Sequence, residues 1–100
     1  MSKFNSLINS EIPVLVDVYA SWCNPCKVLS PILKEIKSQY GSSLKIIKID
    51  IDKNSQIANK FSIKGVPTLI LFKNGNLVWR KAGLTPKENI VQEIENQLNK

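Results

Sequence analysis

The order of apolar and polar positions divides the chain into alternating strands and helices. After Pro13, Val14-Leu15-Val16-Asp17-Val18-Tyr19 is a short β-branched run whose near-continuous apolar character predicts a strand covered on both faces. From Pro25 to Tyr40 the residues Val28, Leu29, Ile32, Leu33 and Ile36 recur at helical spacing, with Gly41 as a stop, which predicts a helix kinked at Pro31. Leu44 to Ile51 is dominated by isoleucine and reads as a second strand. Strand, helix and strand in this order form a βαβ unit with parallel strands, so the fold class is α/β.

Beyond this unit the signals are shorter. Ser55 to Phe61 predicts a short helix with Asn54 or Ser55 as its cap. Thr68 to Lys73 and Leu77 to Ala82 are strand-like runs joined by Asn74-Gly75-Asn76, a strong hairpin signal. Thr85-Pro86-Lys87-Glu88 opens a closing helix with a cap, a proline at the first helical position and a glutamate at the third; Ile90, Val91, Ile94 and Leu98 then line one face. At the amino terminus Phe4, Leu7 and Ile8 are spaced for a short amphipathic helix with no strand before it, which leaves a sheet of four strands.

Composition narrows what such a fold does. One hundred residues, 43% hydrophobic and 22% charged, suit a single domain, 1–100, around one core. The net charge of +6 comes from thirteen lysines and one arginine against eight acids, spread along the chain. Nucleic-acid surfaces concentrate basic residues and favour arginine, so this charge reads as a solvated lysine-rich surface with no nucleic-acid partner. Met1 to Glu11 carries neither a signal-peptide core nor a membrane span, and the expected address is cytoplasmic, with no membrane partner.

The candidate chemistry lies in Trp22-Cys23-Asn24-Pro25-Cys26-Lys27, where the buried strand ends and the helix begins. Amides of a first helical turn point at Cys23 with partial positive charge and stabilise its thiolate, the attacking species, so Cys23 is the expected nucleophile. Two intervening residues bring Cys26 within bridging distance, deeper in the helix, as the resolving thiol. Two readings compete with this one: a zinc half-site and an incidental pair. Zinc needs four ligands, or three and a water, and the chain has no histidine and no third cysteine.

Val16-Asp17 with Trp22 to Lys27, then Pro31, Lys48, Phe61 through Gly65-Val66-Pro67-Thr68, Phe72-Lys73-Asn74-Gly75 and Gly83 together resemble the thioredoxin family across nearly the whole chain. The resemblance implies a thioredoxin fold and reduction of disulfides in other proteins. It implies no bound cofactor, only a redox-active Cys23-Cys26 disulfide, with electrons returned by an NADPH-dependent flavin thioredoxin reductase. It implies that Asp17 is buried and relays a proton to or from Cys26, and that Lys48 neighbours and tunes that carboxyl. It implies a cis bond before Pro67, facing the cysteine pair, that frees the Val66 backbone to pair with an extended substrate. Trp22, Gly65, Val66 and Gly83 would form a shallow docking surface, with Asn24 and Pro25 contributing from between the cysteines.

The chain departs from the family in two places. Asn24 stands where most thioredoxins carry glycine, which leaves the reduction potential open. The short amino terminus exposes one edge of the Leu44 to Ile51 strand, where Lys45 and Lys48 oppose pairing; the expectation is a monomer that associates along that edge only at high concentration. Two other classes of activity stay open at this point: an oxidant or isomerase on the same scaffold, and a non-catalytic interaction module.

Overall fold

A computed structural model describes residues 1–99. The elements run α1 (Ser2–Ile8), β1 (Val14–Tyr19), α2 (Asn24–Tyr40), β2 (Lys45–Asp50), α3 (Ser55–Lys60), β3 (Thr68–Lys73), β4 (Asn76–Ala82) and α4 (Lys87–Leu98), with short 3-10 turns at Gly41–Ser43 and Ile51–Lys53. The strands form one sheet in the order β2-β1-β3-β4. β1 runs parallel to β2 and antiparallel to β3, and β3 runs antiparallel to β4, so the sheet is mixed. This is the thioredoxin fold that the sequence resembled.

Side-chain alternation sorts the strands onto two cores. Leu15, Leu69 and Leu71 face α2 and α4, where they meet Leu29, Leu33, Ile36, Ile90 and Ile94. Val14, Val16, Val18, Ile70 and Phe72 face α1 and α3, where they meet Phe4, Ile8 and Ile57. β1 is thus buried on both sides, which is why its sequence carries almost no polar residue. Phe4, Phe61 and Phe72 close the second core as a mutual cluster with centroids 5.6 to 5.9 Å apart, a separation that suits edge-to-face rings.

The hairpin between β3 and β4 turns on Asn74 and Gly75, both at positive φ (53° and 80°), the signature of the primed turn that matches strand twist. Its amides reach back to α1: Asn74 N donates to the Ser10 carbonyl at 2.8 Å and Gly75 N to the Ile8 carbonyl at 3.1 Å. A Cβ at Gly75 would meet nothing nearer than 3.6 Å, so its substitution costs backbone strain alone. Gly75→Ala is expected to destabilise the fold by about 1 kcal/mol, seen as a lower urea midpoint with an unchanged slope.

Several boundaries differ from the sequence reading. α4 begins at Lys87, not Pro86: Pro86 has an extended ψ of 146°, and the Thr85 hydroxyl donates to the Gly83 carbonyl at 3.2 Å instead of capping the helix. Asn54 occupies the cap position of α3, but its side chain donates to the Asp50 carbonyl at 2.9 Å and caps nothing. Leu7 and Val28 are exposed, because each sits at the margin of its helix's apolar face, outside the stripe that meets the sheet. Isoleucine 51 has left β2 and starts the 3-10 turn. α2 begins one residue early, at Asn24, and holds Pro31 in its interior. The single arginine closes the loop after α3: the Arg80 guanidinium donates to the carbonyls of Phe61 and Ser62.

Candidate active site

β1 delivers the chain to the site, and a tight turn starts the helix. The Cys23 amide donates to the Ala20 carbonyl at 3.2 Å, which folds Ser21 and Trp22 outward. Cys23 then occupies the cap position of α2 with extended backbone (φ −91°, ψ 111°), and its Sγ accepts the Cys26 amide at 3.1 Å. Pro25 lies in the first turn, where no amide is missed. The sulfur of residue 23 therefore stands where an N-cap oxygen usually stands, and negative charge developing on it meets a donor already in place.

Cys23 and Cys26 form a disulfide, with Cα atoms 5.3 Å apart. They lie against Ala20, with Tyr19, Ile51 and Val66 packed around them. Among the described residues no three His, Cys, Asp or Glu side chains cluster to hold a metal, and no helix is long and apolar enough to cross a membrane.

Asp17 lies two residues beyond Leu15 on the face covered by α2, and is 1% exposed. Its Oδ1 has no hydrogen-bond partner among the described residues. Burial pushes its pKa up from 3.8 to about 6, and the charge of Lys48 opposes part of that rise. Lys48 is the register partner of Asp17 across the parallel ladder. Its ammonium lies 4.9 Å from the centroid of the Tyr19 ring, so it acts on Asp17 through space, outside ion-pair contact.

The remaining candidates form the rim. Trp22 is 67% exposed and, with Gly65 and Val66, lines a depression of about 190 Å³ shared with Ile51, Asp52 and Ile63. The Val66-Pro67 bond is cis. Pro67 is buried, and its carbonyl accepts the Gly83 amide at 2.8 Å, while the Thr68 hydroxyl donates to the Gly65 carbonyl at 2.7 Å. Gly83 has φ +89°, which by itself accounts for its glycine. Gly65 has no such internal reason, and a side chain there would enter open space. Asn24 and Pro25 are exposed on the first turn of α2.

Asp52 is the residue that sequence reasoning missed. Its carboxylate accepts the Trp22 indole N–H at 2.8 Å across a separation of 30 residues. The Asp50 side chain supports it by accepting the Asp52 amide at 3.0 Å. The pattern Asp50-Ile51-Asp52 is an Asx-turn signal, but nothing in the spacing ties it to Trp22. Asp52→Ala is expected to shift the Trp22 indole N–H resonance while moving stability by no more than about 0.5 kcal/mol. An unmoved resonance would show that the bond does not orient the ring.

The thioredoxin family model matches residues 1–96. Over 92 residues the chain is 41% identical to the thioredoxin of Rickettsia bellii, covering 92% of this chain and 88% of that one. It is 44% identical over 98 residues to the chloroplastic thioredoxin Y of Oryza sativa subsp. japonica, covering 97% of this chain but only 58% of that relative's length. Mitochondrial thioredoxin 3 of Saccharomyces cerevisiae, in its oxidised form, superposes with a TM-score of 0.86 at 28% identity, covering 95% of this chain and 88% of that one. With its cysteine pair at the head of α2 and these likenesses along almost its full length, the chain belongs to the thioredoxin family and is a thiol-disulfide oxidoreductase.

Proposed function

We propose that the chain works as a protein-disulfide reductase in the cytoplasm, as a monomer, recharged by an NADPH-dependent flavin thioredoxin reductase. In the dithiol form the Cys23 thiolate attacks a substrate disulfide, forming a Cys23–substrate bond and releasing one substrate thiolate. Cys26 gives up its proton to the Asp17 carboxylate and attacks Cys23 Sγ, which restores the Cys23-Cys26 disulfide and releases the second thiolate. Two electrons pass to the substrate, the two released thiolates take up two protons, and the reductase returns two electrons to the disulfide.

One observation carries the reading: the Cys23 sulfur accepts a first-turn amide at 3.1 Å at the start of a 17-residue helix. That donor favours charge on residue 23 over residue 26, which lies a turn further along. Asp17 supports the second step. With a pKa of about 6 it is ionised at neutral pH, yet remains a far better proton acceptor than an exposed aspartate. Lys48 keeps that value from rising further. The depression lined by Trp22, Gly65 and Val66, with Pro67 and Gly83 beside it and Asn24 and Pro25 on the helix, is the surface for an extended substrate segment.

The midpoint potential of the cysteine pair tests the direction of electron flow. A reductant is expected below about −230 mV, whereas a strong oxidant on a dithiol scaffold lies near about −120 mV. A value in the second range would overturn the reductase reading in favour of an oxidant.

A further inference from the structure

β2 forms one edge of the sheet. Its Lys45 amide donates to the Pro13 carbonyl at 3.0 Å on the β1 side. In a parallel ladder alternate residues face the same neighbour, so Lys45, Ile47 and Ile49 turn their backbone groups to β1 and Ile46, Lys48 and Asp50 turn theirs outward. Side chains fasten both ends of this outward row: Lys37 Nζ donates to the Leu44 carbonyl at 2.6 Å and Asn54 Nδ2 to the Asp50 carbonyl at 2.9 Å. Between them the amides and carbonyls of Ile46 and Lys48 have no partner among the described residues.

The two faces beside this edge are apolar at the base and basic around it. On the α1 and α3 side lies a groove of about 630 Å³ with Phe4, Leu7, Ile47, Ile49 and Ile57 in its wall, joined by Lys3, Lys48 and Lys53. On the α2 side a depression of about 200 Å³ holds Leu33 and Ile46 with Lys34, Lys37 and Lys48. No aspartate or glutamate lines either one. Ile46, Ile47 and Ile49 are consequently only half-buried, although they belong to a sheet.

We propose that this edge receives an extended segment of a partner protein in which apolar residues alternate with acidic ones, added beside β2 as a further strand. The free groups of Ile46 and Lys48 supply the ladder, and the two-residue period sends successive side chains to opposite faces. Apolar residues enter the groove against Phe4, Leu7 and Ile49; acidic residues meet Lys34, Lys37 and Lys48. Charge selects this occupant over a second copy of the chain, whose own Lys45 and Lys48 would enter a surface already lined by lysines.

The probe is an end-blocked heptapeptide alternating valine and glutamate, with a valine–lysine peptide as control. Titrated at low salt into isotope-labelled protein, the acidic peptide is expected to shift the Ile46 and Lys48 amide resonances and slow their hydrogen exchange, while the basic peptide moves neither. Lys34→Glu is expected to weaken binding about threefold to fivefold without altering disulfide reduction, and high salt is expected to weaken it as well. Three results would each overturn the proposal. The acidic peptide could leave these amides unmoved at millimolar concentration. It could shift only residues around Trp22 and Val66. Or the protein alone could self-associate with the same two amides protected, which would give the edge to a second copy.

Discussion

Cys23→Ser is expected to abolish reduction of a protein disulfide such as that of insulin, by a factor of at least about 10³, because a serine hydroxyl at neutral pH is not the thiolate the exchange requires. Its fold is expected to hold. Residue 23 caps α2 and serine is among the best cap residues, so the loss of turnover would be chemical. Cys26→Ser is expected to behave differently: residue 23 still attacks, but nothing resolves the product, and the substrate remains attached. Mass spectrometry after a single exposure to substrate separates the two outcomes. If Cys26→Ser accumulated no adduct and Cys23→Ser did, the roles of the two sulfurs would be reversed. If both variants kept biological activity, the thiols would be secondary and the chain an interaction module.

The second large effect concerns stability. The Asp17 carboxyl has a pKa of about 6 in the folded protein against 3.8 as a reference, so between these values the folded state binds more protons than the unfolded one. The protonated carboxyl therefore favours the fold at low pH, and this contribution is lost as pH rises through about 6, at a cost of about 3 kcal/mol by neutrality. Asp17→Asn removes the cost. It is expected to raise stability at pH 7 by up to about 3 kcal/mol, on the order of 10 to 20 °C in Tm for a domain of this size, and to match the wild type near pH 3.5. The same substitution is expected to slow resolution of the mixed disulfide and to flatten its pH dependence near pH 6. Gained stability with an unchanged pH profile would show that Asp17 is buried without serving as the proton carrier.

What could be read from the sequence follows the range of the interactions involved. β1, α2 and the hairpin were legible because each is set by local pattern: a β-branched run between Pro13 and Ala20, apolar residues at helical spacing up to Gly41, and an Asn-Gly pair whose positive φ values few other residues adopt. The cysteine pair was legible for the same reason, since its spacing and its place between strand and helix are local facts. Asp17 was equivocal. Periodicity alone allowed it to face solvent, and only the family likeness placed it inside, where it is now seen at 1% exposure.

The illegible parts are contacts between distant segments. Trp22 and Asp52 meet because β2 lies beside β1 and delivers the Ile51–Lys53 turn next to the head of α2. Neither residue carries a sign of the other. Thr85 has the side chain of a cap residue, yet the Gly83 carbonyl, turned toward it by a left-handed glycine, captures its hydroxyl first. The cap at Asn54 fails for a similar reason, since the Asp50 carbonyl at the open strand edge draws its amide away.

Thirteen of the chain's fourteen cationic side chains are lysines, and the exception is informative. Arg80 extends from β4 to two neighbouring carbonyls, those of Phe61 and Ser62, the latter at a positive φ of 51°. A planar fork can serve both oxygens at once, whereas an ammonium offers a single point of charge. The loop fastened there leads directly into Ile63, Gly65 and Val66, which line one depression together with Trp22. Ile51 and Val66 of that depression also pack against Cys23 and Cys26, so a side chain on β4 anchors the loop whose Val66 borders the two sulfurs.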